Sequence, residues 1–369
     1  MKTNAAVLFS QPGKWEVTEV DLDEPKANEV LIKMVAAGLC HSDDHLCTGD
    51  MPAMKLPFAG GHEGAGIVER VGPNVSNVAP GDHVVLQFIP GCGRCRWCAS
   101  GQQNLCDSGA MLLAGCQLDG TFRMHKDGED VGQMTHTSTF SEYSVVPAIS
   151  CVKIPDDIPL PEACLVGCGV PTGWGSAVYG AEVQPGDVTI VMGVGGVGIN
   201  AVQGARHAGA TRIIAVDPQP LKREVALQLG ATDAVEDIRQ AAKLAQEATN
   251  GQGADNAIIC VGVTQGEHIG QAFDAVRKGG TIAVVGIGRV NDTIPVSPFI
   301  LTLWQKRIQG VLYGSLSPSK DILRLLSMYQ AGQLKLKELV TRTYSLDQIN
   351  EGYADMHAGK NIRGVITFD

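Results

Sequence analysis

Four cysteines lie close together in the first third of the chain, in the pattern Cys92-x2-Cys95-x2-Cys98-x7-Cys106. Four thiolates complete a tetrahedron around Zn²⁺ and leave no position for a substrate, so such a site stabilises a fold and does not catalyse a reaction. An iron–sulfur cluster is one alternative. However, seven residues separate Cys98 from Cys106, and Asp107 follows Cys106, unlike the ferredoxin spacing that ends in Cys-Pro. The other alternative is a group of buried thiols without a metal. We predict a structural zinc site.

A second set of possible metal ligands comes from three separate pieces of sequence. They are Gly38-Leu39-Cys40-His41-Ser42-Asp43-Asp44-His45, Gly61-His62-Glu63-Gly64-Ala65-Gly66 and Gly167-Cys168-Gly169-Val170-Pro171-Thr172. Each piece alone is a weak signal, because a single cysteine beside glycine is more often a small buried hydrophobic residue. Together, Cys40, His62 and Cys168 offer two thiolates and an imidazole, the set that keeps one position open on a catalytic zinc.

Polar side chains around these ligands could support metal chemistry. A carboxylate often orients a metal-bound imidazole, and Asp43 is placed to do this for His62. Ser42 and His45 could pass a proton out of a buried site, since a hydroxyl followed by an imidazole forms a relay. For Asp43 and Glu63 the alternative is an ordinary solvated acid at a strand end.

A glycine-rich loop in the second half of the chain matches the pattern G-x-G-x-x-G. A strand-like segment, Val188–Met192, precedes the loop, a helical pattern follows it, and Asp217 ends the next strand-like segment. This context is typical of a dinucleotide site, in which glycines allow close approach to the pyrophosphate and an acid binds the adenosine ribose. We therefore predict binding of NAD(H), in preference to NADP(H), by Gly193, Gly195, Gly196, Val197, Gly198 and Asp217. The alternative is a glycine turn in an unrelated α/β domain.

The pattern of elements changes along the chain. Short strands bounded by Gly and Pro dominate the first part, with strands predicted at 29–37, 65–71 and 83–88. From Val188 onward, strands predicted at 188–192, 212–217, 231–235, 254–261 and 281–286 alternate with predicted helices, which indicates βαβ units and a parallel sheet. After about Gly310 the pattern is mixed again, with helices predicted near 319–330 and 346–357 and a closing strand predicted at 364–368. The fold class is therefore α/β, with a β-rich part followed by a doubly wound parallel sheet.

The length and charge of the chain exclude several function classes. A chain of 369 residues favours two domains, and a net charge of −10 without a Lys/Arg run argues against binding to nucleic acid or anionic membranes. No run of apolar residues is long enough for a membrane span. The eleven cysteines, an odd number, are not typical of a disulfide scaffold. Because free thiols persist in a reducing compartment, a cytoplasmic location is expected.

These motifs, in this order and with the four cysteines between the second and third pieces, resemble the zinc-containing medium-chain alcohol dehydrogenases over essentially the whole chain. The resemblance implies a GroES-like catalytic domain (1–170 and 311–369) and a Rossmann NAD-binding domain (171–310). It implies that Cys40, His62 and Cys168 bind a catalytic zinc, which Glu63 approaches during ligand exchange. Each chain would then hold two zinc ions, one catalytic and one structural.

Further residues take their expected roles from the same resemblance. His41 and Arg363 resemble basic residues near the cofactor pyrophosphate, Lys222 resembles one near the adenosine ribose, and Thr172 is included in the cofactor-binding set. Solvated surface charges and a turn histidine are the alternatives for the three basic residues. Phe88 and Trp174 are candidates for the alcohol pocket, and packing in a core is the alternative for both.

The connection between Cys106 and Thr139 is long, as in the animal and plant type alcohol dehydrogenases, but its sequence Gly120-Thr121-Phe122-Arg123-Met124-His125 departs from theirs. Together with Pro171-Thr172-Gly173-Trp174-Gly175-Ser176, this sequence resembles more closely the actinobacterial nicotinoprotein alcohol dehydrogenases that use nitrosoaniline acceptors. The resemblance implies hydride transfer between a primary or secondary alcohol and an NAD(H) that stays bound. A thiol-adduct formaldehyde dehydrogenase on the same scaffold and a non-catalytic protein that binds zinc and NAD are the alternatives. The expected partners are a small alcohol or aldehyde and further copies of this chain, as a dimer or tetramer.

Overall fold

The computed structural model describes residues 1–369, and the chain forms two compact units. The first unit contains Met1–Cys168 and Ser317–Asp369, and the second contains Gly169–Leu316. The second unit extends past residue 310, where the sequence suggested a boundary, because Gly314 packs against the start of this unit. A Cβ atom added at Gly314 would lie 2.2 Å from the carbonyl oxygen of Pro171.

The N-terminal part of the first unit consists mainly of short strands. Its strands are β1 (Lys2–Leu8), β2 (Glu16–Leu22), β3 (Glu29–Gly38), β4 (Phe58–Ala59), β5 (Gly64–Val71), β6 (His83–Leu86), β7 (Met124–Lys126), β8 (Glu129–Gln133), β9 (Tyr143–Pro147) and β10 (Cys151–Lys153). Its helices are short: α1 (His41–Thr48), α2 (Arg96–Ala99) and α3 (Leu160–Ala163). The three strands predicted in this region form, with ends shifted by one or two residues.

The second unit is a parallel sheet with helices between its strands. Its elements are α4 (Gly169–Gly175), β11 (Val188–Met192), α5 (Gly198–His207), β12 (Arg212–Val216), α6 (Pro220–Gln228), β13 (Asp233–Val235), α7 (Ile238–Ala248), β14 (Ala254–Ile259), α8 (Gly266–Ala275), β15 (Val276–Val284), α9 (Pro298–Leu303) and β16 (Arg307–Gly310). The strand order is β13-β12-β11-β14-β15-β16, and every neighbouring pair is parallel. This is the doubly wound Rossmann order, and the loop after β11 lies at its switch point, where such sheets bind ligands.

The C-terminal segment returns to the first unit with α10 (Pro318–Gln330), β17 (Val340–Tyr344), α11 (Ile349–His357) and β18 (Arg363–Thr367). Strands β1, β2, β7, β8 and β4 form a closed barrel. A second sheet has the order β10-β6-β5-β3-β18-β17, with β9 paired to β3. Because β18 pairs with the end of β3, residues at the C-terminus lie beside the segment that leads into α1.

The interior of each unit is apolar. Valine, isoleucine and alanine side chains from β11, β12, β14 and β15 pack against α7 and α8 in the second unit. Strand β15 begins at Val276, although a strand was predicted only from Thr281. Its register against β14 shifts between Ala254 and Asn256, and this irregularity accommodates the extra residues. None of the helices is both long and apolar enough to span a membrane.

Candidate active site

Cys40 lies between a strand and a helix of the first unit. It follows β3 and occupies the N-cap position of α1 in an extended conformation, with φ −124° and ψ 148°. The helix that begins here carries Ser42, Asp43 and His45 in its first turns, so a single short element supplies several polar groups. Gly49 ends the helix in a left-handed conformation with φ 87°, which glycine adopts without strain.

His62 lies in the tight turn between β4 and β5. The backbone N–H of Gly61 donates to Oδ1 of Asp43 over 3.0 Å, and Nδ1 of His62 lies 3.2 Å from the same oxygen. Asp43 and His62 are both buried, so water does not compete for these contacts. Asp43 thus holds both the turn and the imidazole ring in place, which is the orienting contact that the sequence predicted. The alternative of a solvated acid is wrong for Asp43.

Cys168 completes the cluster at the end of a 3₁₀ turn, Cys164–Gly167. Its Sγ atom lies 3.2 Å from Nε2 of His62, and the ligand atoms of Cys40, His62 and Cys168 all lie within 4.8 Å of one another. Two sulfurs and one imidazole nitrogen are the donors that Zn²⁺ prefers, and three protein ligands leave one position open. The donor set therefore fits a catalytic zinc, as predicted.

The electrostatics of this cluster also favour a cation. A hydrogen bond from Cys168 lowers the pKa of Cys40 well below its usual value, and burial opposes this shift. The same contact and burial raise the pKa of Cys168. Burial disfavours a charged His62, but the charges of Asp43 and Cys40 outweigh it and raise the pKa of the imidazole. One thiol of the pair therefore ionises easily, and a bound divalent cation deprotonates both.

Glu63 makes a buried ion pair with Arg363, a residue 300 positions later in the chain. Both side chains are almost fully buried, so the solvated-charge alternative is wrong for both. Burial raises the pKa of Glu63, and the guanidinium of Arg363 opposes that shift. The Nη2 atom of Arg363 also donates to the carbonyl oxygen of Leu39 over 3.2 Å, which ties β18 to the residue before Cys40. The sequence predicted neither contact. The predicted contact of Arg363 with the cofactor pyrophosphate stays a prediction.

The two candidate relay residues lie on α1 near the metal ligands. The Oγ atom of Ser42 is 3.8 Å from Sγ of Cys40. His45 is buried, and its Nδ1 atom lies 3.7 Å from Oδ2 of the partly exposed Asp50. His41 is half-buried, with its ring centroid 6.4 Å from that of His45. The relay and the pyrophosphate contact of His41 stay predictions.

The two aromatic pocket candidates have different environments. The Phe88 ring meets His62 edge to face, with 5.5 Å between ring centroids, and it lies two residues after the end of β6. Trp174 is 1% exposed and packs against Tyr179 and His207, with centroid distances of 5.7 and 5.4 Å. Its surroundings favour the core alternative for Trp174, whereas Phe88 lies beside a metal ligand.

The four cysteines of the second metal site surround a common point. The ligand atoms of Cys92, Cys95, Cys98 and Cys106 all lie within 4.8 Å of one another. Backbone N–H groups point at the sulfurs, and the N–H of Cys98 lowers the pKa of Cys95 to about 6. Burial raises the pKa of Cys98 to about 12, so this thiol needs a bound cation to ionise at neutral pH. This closed Cys₄ set fits the predicted structural zinc.

The glycine loop of the second unit has the geometry of a nucleotide cradle. Gly193 has φ +81°, and a Cβ atom at Gly198 would lie 1.8 Å from the carbonyl oxygen of Gly193, so both positions require glycine. At the end of β12, Oδ2 of Asp217 accepts a hydrogen bond from the N–H of Val194 over 3.1 Å. Lys222 lies over the loop, with Nζ 3.8 Å from the Cβ position of Gly195.

Thr172 adds a second observation that fits ligand binding in this unit. Its buried Oγ1 atom has no hydrogen-bond partner. The next residue, Gly173, packs on the glycine loop so closely that a Cβ atom there would lie 2.0 Å from the carbonyl oxygen of Val197. An unsatisfied buried hydroxyl is costly unless a ligand or a water completes it. The loop and Thr172 therefore fit a dinucleotide.

The sequence did not indicate that α11 packs against the segment that contains Cys40 and α1. The hydroxyl of Tyr353 donates to the carbonyl oxygen of Cys40 over 3.4 Å, and Nε2 of His357 lies 2.8 Å from Oδ2 of Asp44. Both contacts join residues that lie 313 positions apart. No local pattern could reveal them, although the apolar spacing of α11 predicted a helix.

Comparison with known proteins identifies the family. Residues 26–156 match the family described as an alcohol dehydrogenase GroES-like domain, and residues 196–330 match the zinc-binding dehydrogenase family. The NDMA-dependent alcohol dehydrogenase of Amycolatopsis methanolica is 53% identical over 367 residues, which cover 99% of each chain. The S-(hydroxymethyl)glutathione dehydrogenase of Saccharomyces cerevisiae is 38% identical over 381 residues, which cover 100% of this chain and 97% of that protein.

A solved structure agrees with this result. The benzyl alcohol dehydrogenase of Acinetobacter calcoaceticus superposes with a TM-score of 0.92 at 33% identity, and the match covers 100% of both chains. The predicted α/β fold, a GroES-like part with a Rossmann part, is thereby confirmed, as is the resemblance to the nitrosoaniline-dependent subfamily. With its two zinc ligand sets and its nucleotide cradle, the chain belongs to the zinc-dependent alcohol dehydrogenase family.

Proposed function

We propose that this protein oxidises a small primary or secondary alcohol to the aldehyde or ketone and passes the hydride to an NAD that remains bound between turnovers. The observation that carries this proposal is the open Cys40–His62–Cys168 set, whose three ligand atoms converge within 4.8 Å. When bound, zinc supplies a Lewis acid that lowers the pKa of an alcohol, and nicotinamide supplies a hydride acceptor.

The residues around the ligands set the shape and polarity of the site. Asp43 accepts from Nδ1 of His62 and so keeps the lone pair of Nε2 directed towards the sulfurs. Phe88 covers one side of the imidazole and offers an apolar wall to the carbon chain of an alcohol. In a site with these buried groups, little water competes with the alcohol for the open position.

The proton of the alcohol leaves through α1. Ser42 and His45 are three positions apart on this helix and so share a face, with Ser42 nearer to Cys40. The hydroxyl of Ser42 accepts the proton and hands its own to His45. Nδ1 of His45 lies 3.7 Å from Asp50, a partly exposed carboxylate, so the imidazole can release the proton towards solvent.

Glu63 and Arg363 lie next to the ligands without belonging to the Cys₂His set. As a buried carboxylate one residue after His62, Glu63 can approach the metal while one exchangeable ligand leaves and another enters. Its ion pair with Arg363 opposes the rise in the pKa of this carboxylate that burial causes. Arg363 and His41 are further proposed to bind the cofactor pyrophosphate.

The cofactor roles follow from the second unit. The glycine loop takes the pyrophosphate at the N-terminus of α5, and Asp217 accepts hydrogen bonds from the adenosine ribose. Lys222 lies beside the same loop and contributes a positive charge. The unpaired hydroxyl of Thr172 is available to the same cofactor.

Purified protein tests the proposal without added cofactor. An alcohol should produce one burst of reduced-nicotinamide absorbance, no larger than one equivalent per chain, and a nitrosoaniline acceptor should then allow continuous turnover. Protein that is cofactor-free after gel filtration and that runs steadily on added NAD would refute the bound-cofactor part. Oxidation of formaldehyde only when a low-molecular-weight thiol is added would contradict the proposal that the substrate is a simple alcohol.

We also propose that the protein is a cytoplasmic homo-oligomer, a dimer or tetramer. Its thiol ligand sets need a reducing compartment. In the second unit, β16 ends the parallel sheet, and the neighbouring Phe299 and Leu303 are 68% and 64% exposed. An edge strand beside exposed apolar side chains is a surface on which a second copy can pair. Leu303→Glu should shift the sedimentation of the protein towards the monomer.

A further inference from the structure

The turn that carries His62 is held on its second side by residues 138–140. The hydroxyl of Ser138 donates to the carbonyl oxygen of Ala59 over 2.8 Å, and the N–H of Thr139 donates to that of Gly61 over 2.9 Å. The N–H of Phe140 donates to the carbonyl of Gly60 over 3.1 Å, and the hydroxyl of Thr139 donates to that of Glu63 over 3.4 Å. We call residues 138–140 the brace.

The chain leading into the brace has an unusual backbone. Thr135, His136 and Ser138 have φ values of 52°, 64° and 43°, although none of them is glycine. Such conformations are rarely adopted by residues with a side chain and persist only where the surroundings over-determine them. They often accompany functional sites, where a group must be held in one position.

A buried polar network supplies those surroundings. Gln117 donates through Nε2 to Oε1 of Gln133 over 3.1 Å and to the carbonyl oxygen of His136 over 3.0 Å. Nε2 of Gln133 in turn lies 3.1 Å from Oγ of Ser144, which donates to the carbonyl of Thr137. All of these side chains are buried, so the network is rigid and shielded from water.

Ser138 connects this network to the His62 turn. Its hydroxyl accepts a hydrogen bond from the N–H of Met134 over 3.0 Å and donates one to the carbonyl oxygen of Ala59. This side chain therefore links the segment 134–138 to the turn that carries His62. Asp43 holds the imidazole from one side only. A metal ligand must be held to within about 0.5 Å of its productive position, and this requires support from the backbone as well.

We propose that Ser138 is a positioning residue for the catalytic metal site, acting through the Ala59–Gly61 backbone to fix His62. The inference rests on the Cys₂His site and is independent of which alcohol is oxidised. It separates two kinds of support for the metal. Asp43 holds the ring of His62 and the N–H of Gly61, whereas Ser138 holds the carbonyl group of Ala59, where the same turn begins.

The two metal sites of one chain give the test an internal control. An excess of a chelator that changes colour on binding zinc is added to the zinc-loaded protein, and the release of zinc is followed by the absorbance of the chelator. Zinc should leave the two sites in two kinetic phases, and the phase that is absent from Cys168→Ala belongs to the Cys₂His site. Ser138→Ala should speed that phase by roughly 10–100-fold, the size of effect typical of outer-shell contacts, and leave the Cys₄ phase unchanged.

Two further variants separate positioning from folding. Ser141→Ala is the matched control, because the buried Ser141 hydroxyl also makes two hydrogen bonds in this segment, to the carbonyl oxygens of Ser138 and Tyr143, and none to the His62 turn. It should leave the ratio of the two release rates as in the wild type. Ser138→Gly removes the hydroxyl but suits the left-handed backbone. It should therefore fold even where Ser138→Ala does not, and it should show the same selective loss of zinc.

The proposal is overturned by any of three results. One is wild-type release of zinc from the Cys₂His site in Ser138→Gly or in folded Ser138→Ala. Another is an equal acceleration of both phases, because that would mean a general loss of stability. The third is selective loss of the catalytic zinc in Ser141→Ala, because the effect would then belong to the segment and not to the Ser138 hydroxyl.

Discussion

The two carboxylate oxygens of Asp43 lie 3.2 and 3.1 Å from Nδ1 of His62, in a site where both side chains are buried. A neutral imidazole that donates its Nδ1 proton to a carboxylate has its lone pair on Nε2, and this atom lies 3.2 Å from the sulfur of Cys168. One helix residue therefore determines which nitrogen of His62 is available to a metal.

Asp43→Asn should weaken the affinity of the Cys₂His site for zinc roughly 10–100-fold, because an amide neither carries charge nor fixes the tautomer. Chelator competition measures the affinity. Asp44→Asn is the control, since the adjacent carboxylate lies 2.8 Å from Nε2 of His357 instead. An Asp43→Asn protein that keeps wild-type zinc affinity would show that the contact is not an orienting one.

Arg363→Met should lower the free energy of unfolding by about 3–5 kcal/mol, because it removes the guanidinium that forms an ion pair with the buried carboxylate of Glu63. Thermal or denaturant unfolding measures this change. Arg342→Met is the control. That arginine pairs with Asp355 but has a half-exposed side chain, so its loss should cost much less stability than the loss of Arg363.

The double variant Glu63→Gln/Arg363→Met distinguishes the lost ion pair from a simple packing defect. Removing both charges should recover part of the stability lost in Arg363→Met. If the double variant is less stable than the single one, the loss did not come from the buried charge of Glu63.

His45→Gln should slow alcohol oxidation most at neutral and acidic pH, where solvent base is scarce, and added imidazole buffer should restore part of the rate. A general acid–base step is worth roughly 10²–10⁴-fold, and a relay outside the reacting atoms should lie near or below the lower limit. His125→Gln, in the half-exposed β7 position, serves as the control. A pH–rate profile identical to that of the wild type would remove His45 from the mechanism.

Asp217→Asn should narrow the preference for NAD(H) over NADP(H). A 2′-phosphate beside this buried carboxylate meets a repulsion on the order of 4 kcal/mol per unit charge pair at 4 Å, for an effective dielectric near 20. The asparagine has the same size as the aspartate that contacts Val194, so a change in cofactor preference would result from the loss of the negative charge. Binding constants for both cofactors measure the effect, with the exposed Glu224→Gln as control. Equal binding of both cofactors by the wild type would contradict the argument.

The chemistry of the site was predictable from sequence where rare residue types occur at restrictive spacings. Cys92 to Cys106 form a compact set within one segment, and the glycine loop is flanked by a strand and a helix of apolar periodicity. The Cys₂His set could be assembled only because its three pieces matched a known order. The strands and helices of the second unit were predicted to within a few residues, since their apolar periods are regular.

Contacts between distant segments were not predictable, because no local pattern encodes them. Nothing around Glu63 indicates a partner 300 residues away, and the brace at Ser138 depends on a backbone conformation that serine seldom adopts. Trp174 carried a usable signal that was missed. A Cβ atom at Gly204, in the middle of α5, would lie 2.5 Å from the carbonyl oxygen of Trp174. A glycine inside a helix indicates close packing of helices, and hence a core position for Trp174.

The zinc content of Cys168→Ala tests the central claim most directly. The wild type should contain two zinc ions per chain, and the variant should contain one, in the closed Cys₄ site, and transfer no hydride from alcohol to NAD. Cys164→Ala, which removes a buried thiol outside both ligand sets, should keep both ions and full activity. Active wild-type protein with one zinc or none, or a Cys168→Ala protein that still oxidises alcohol at the wild-type rate, would contradict the account.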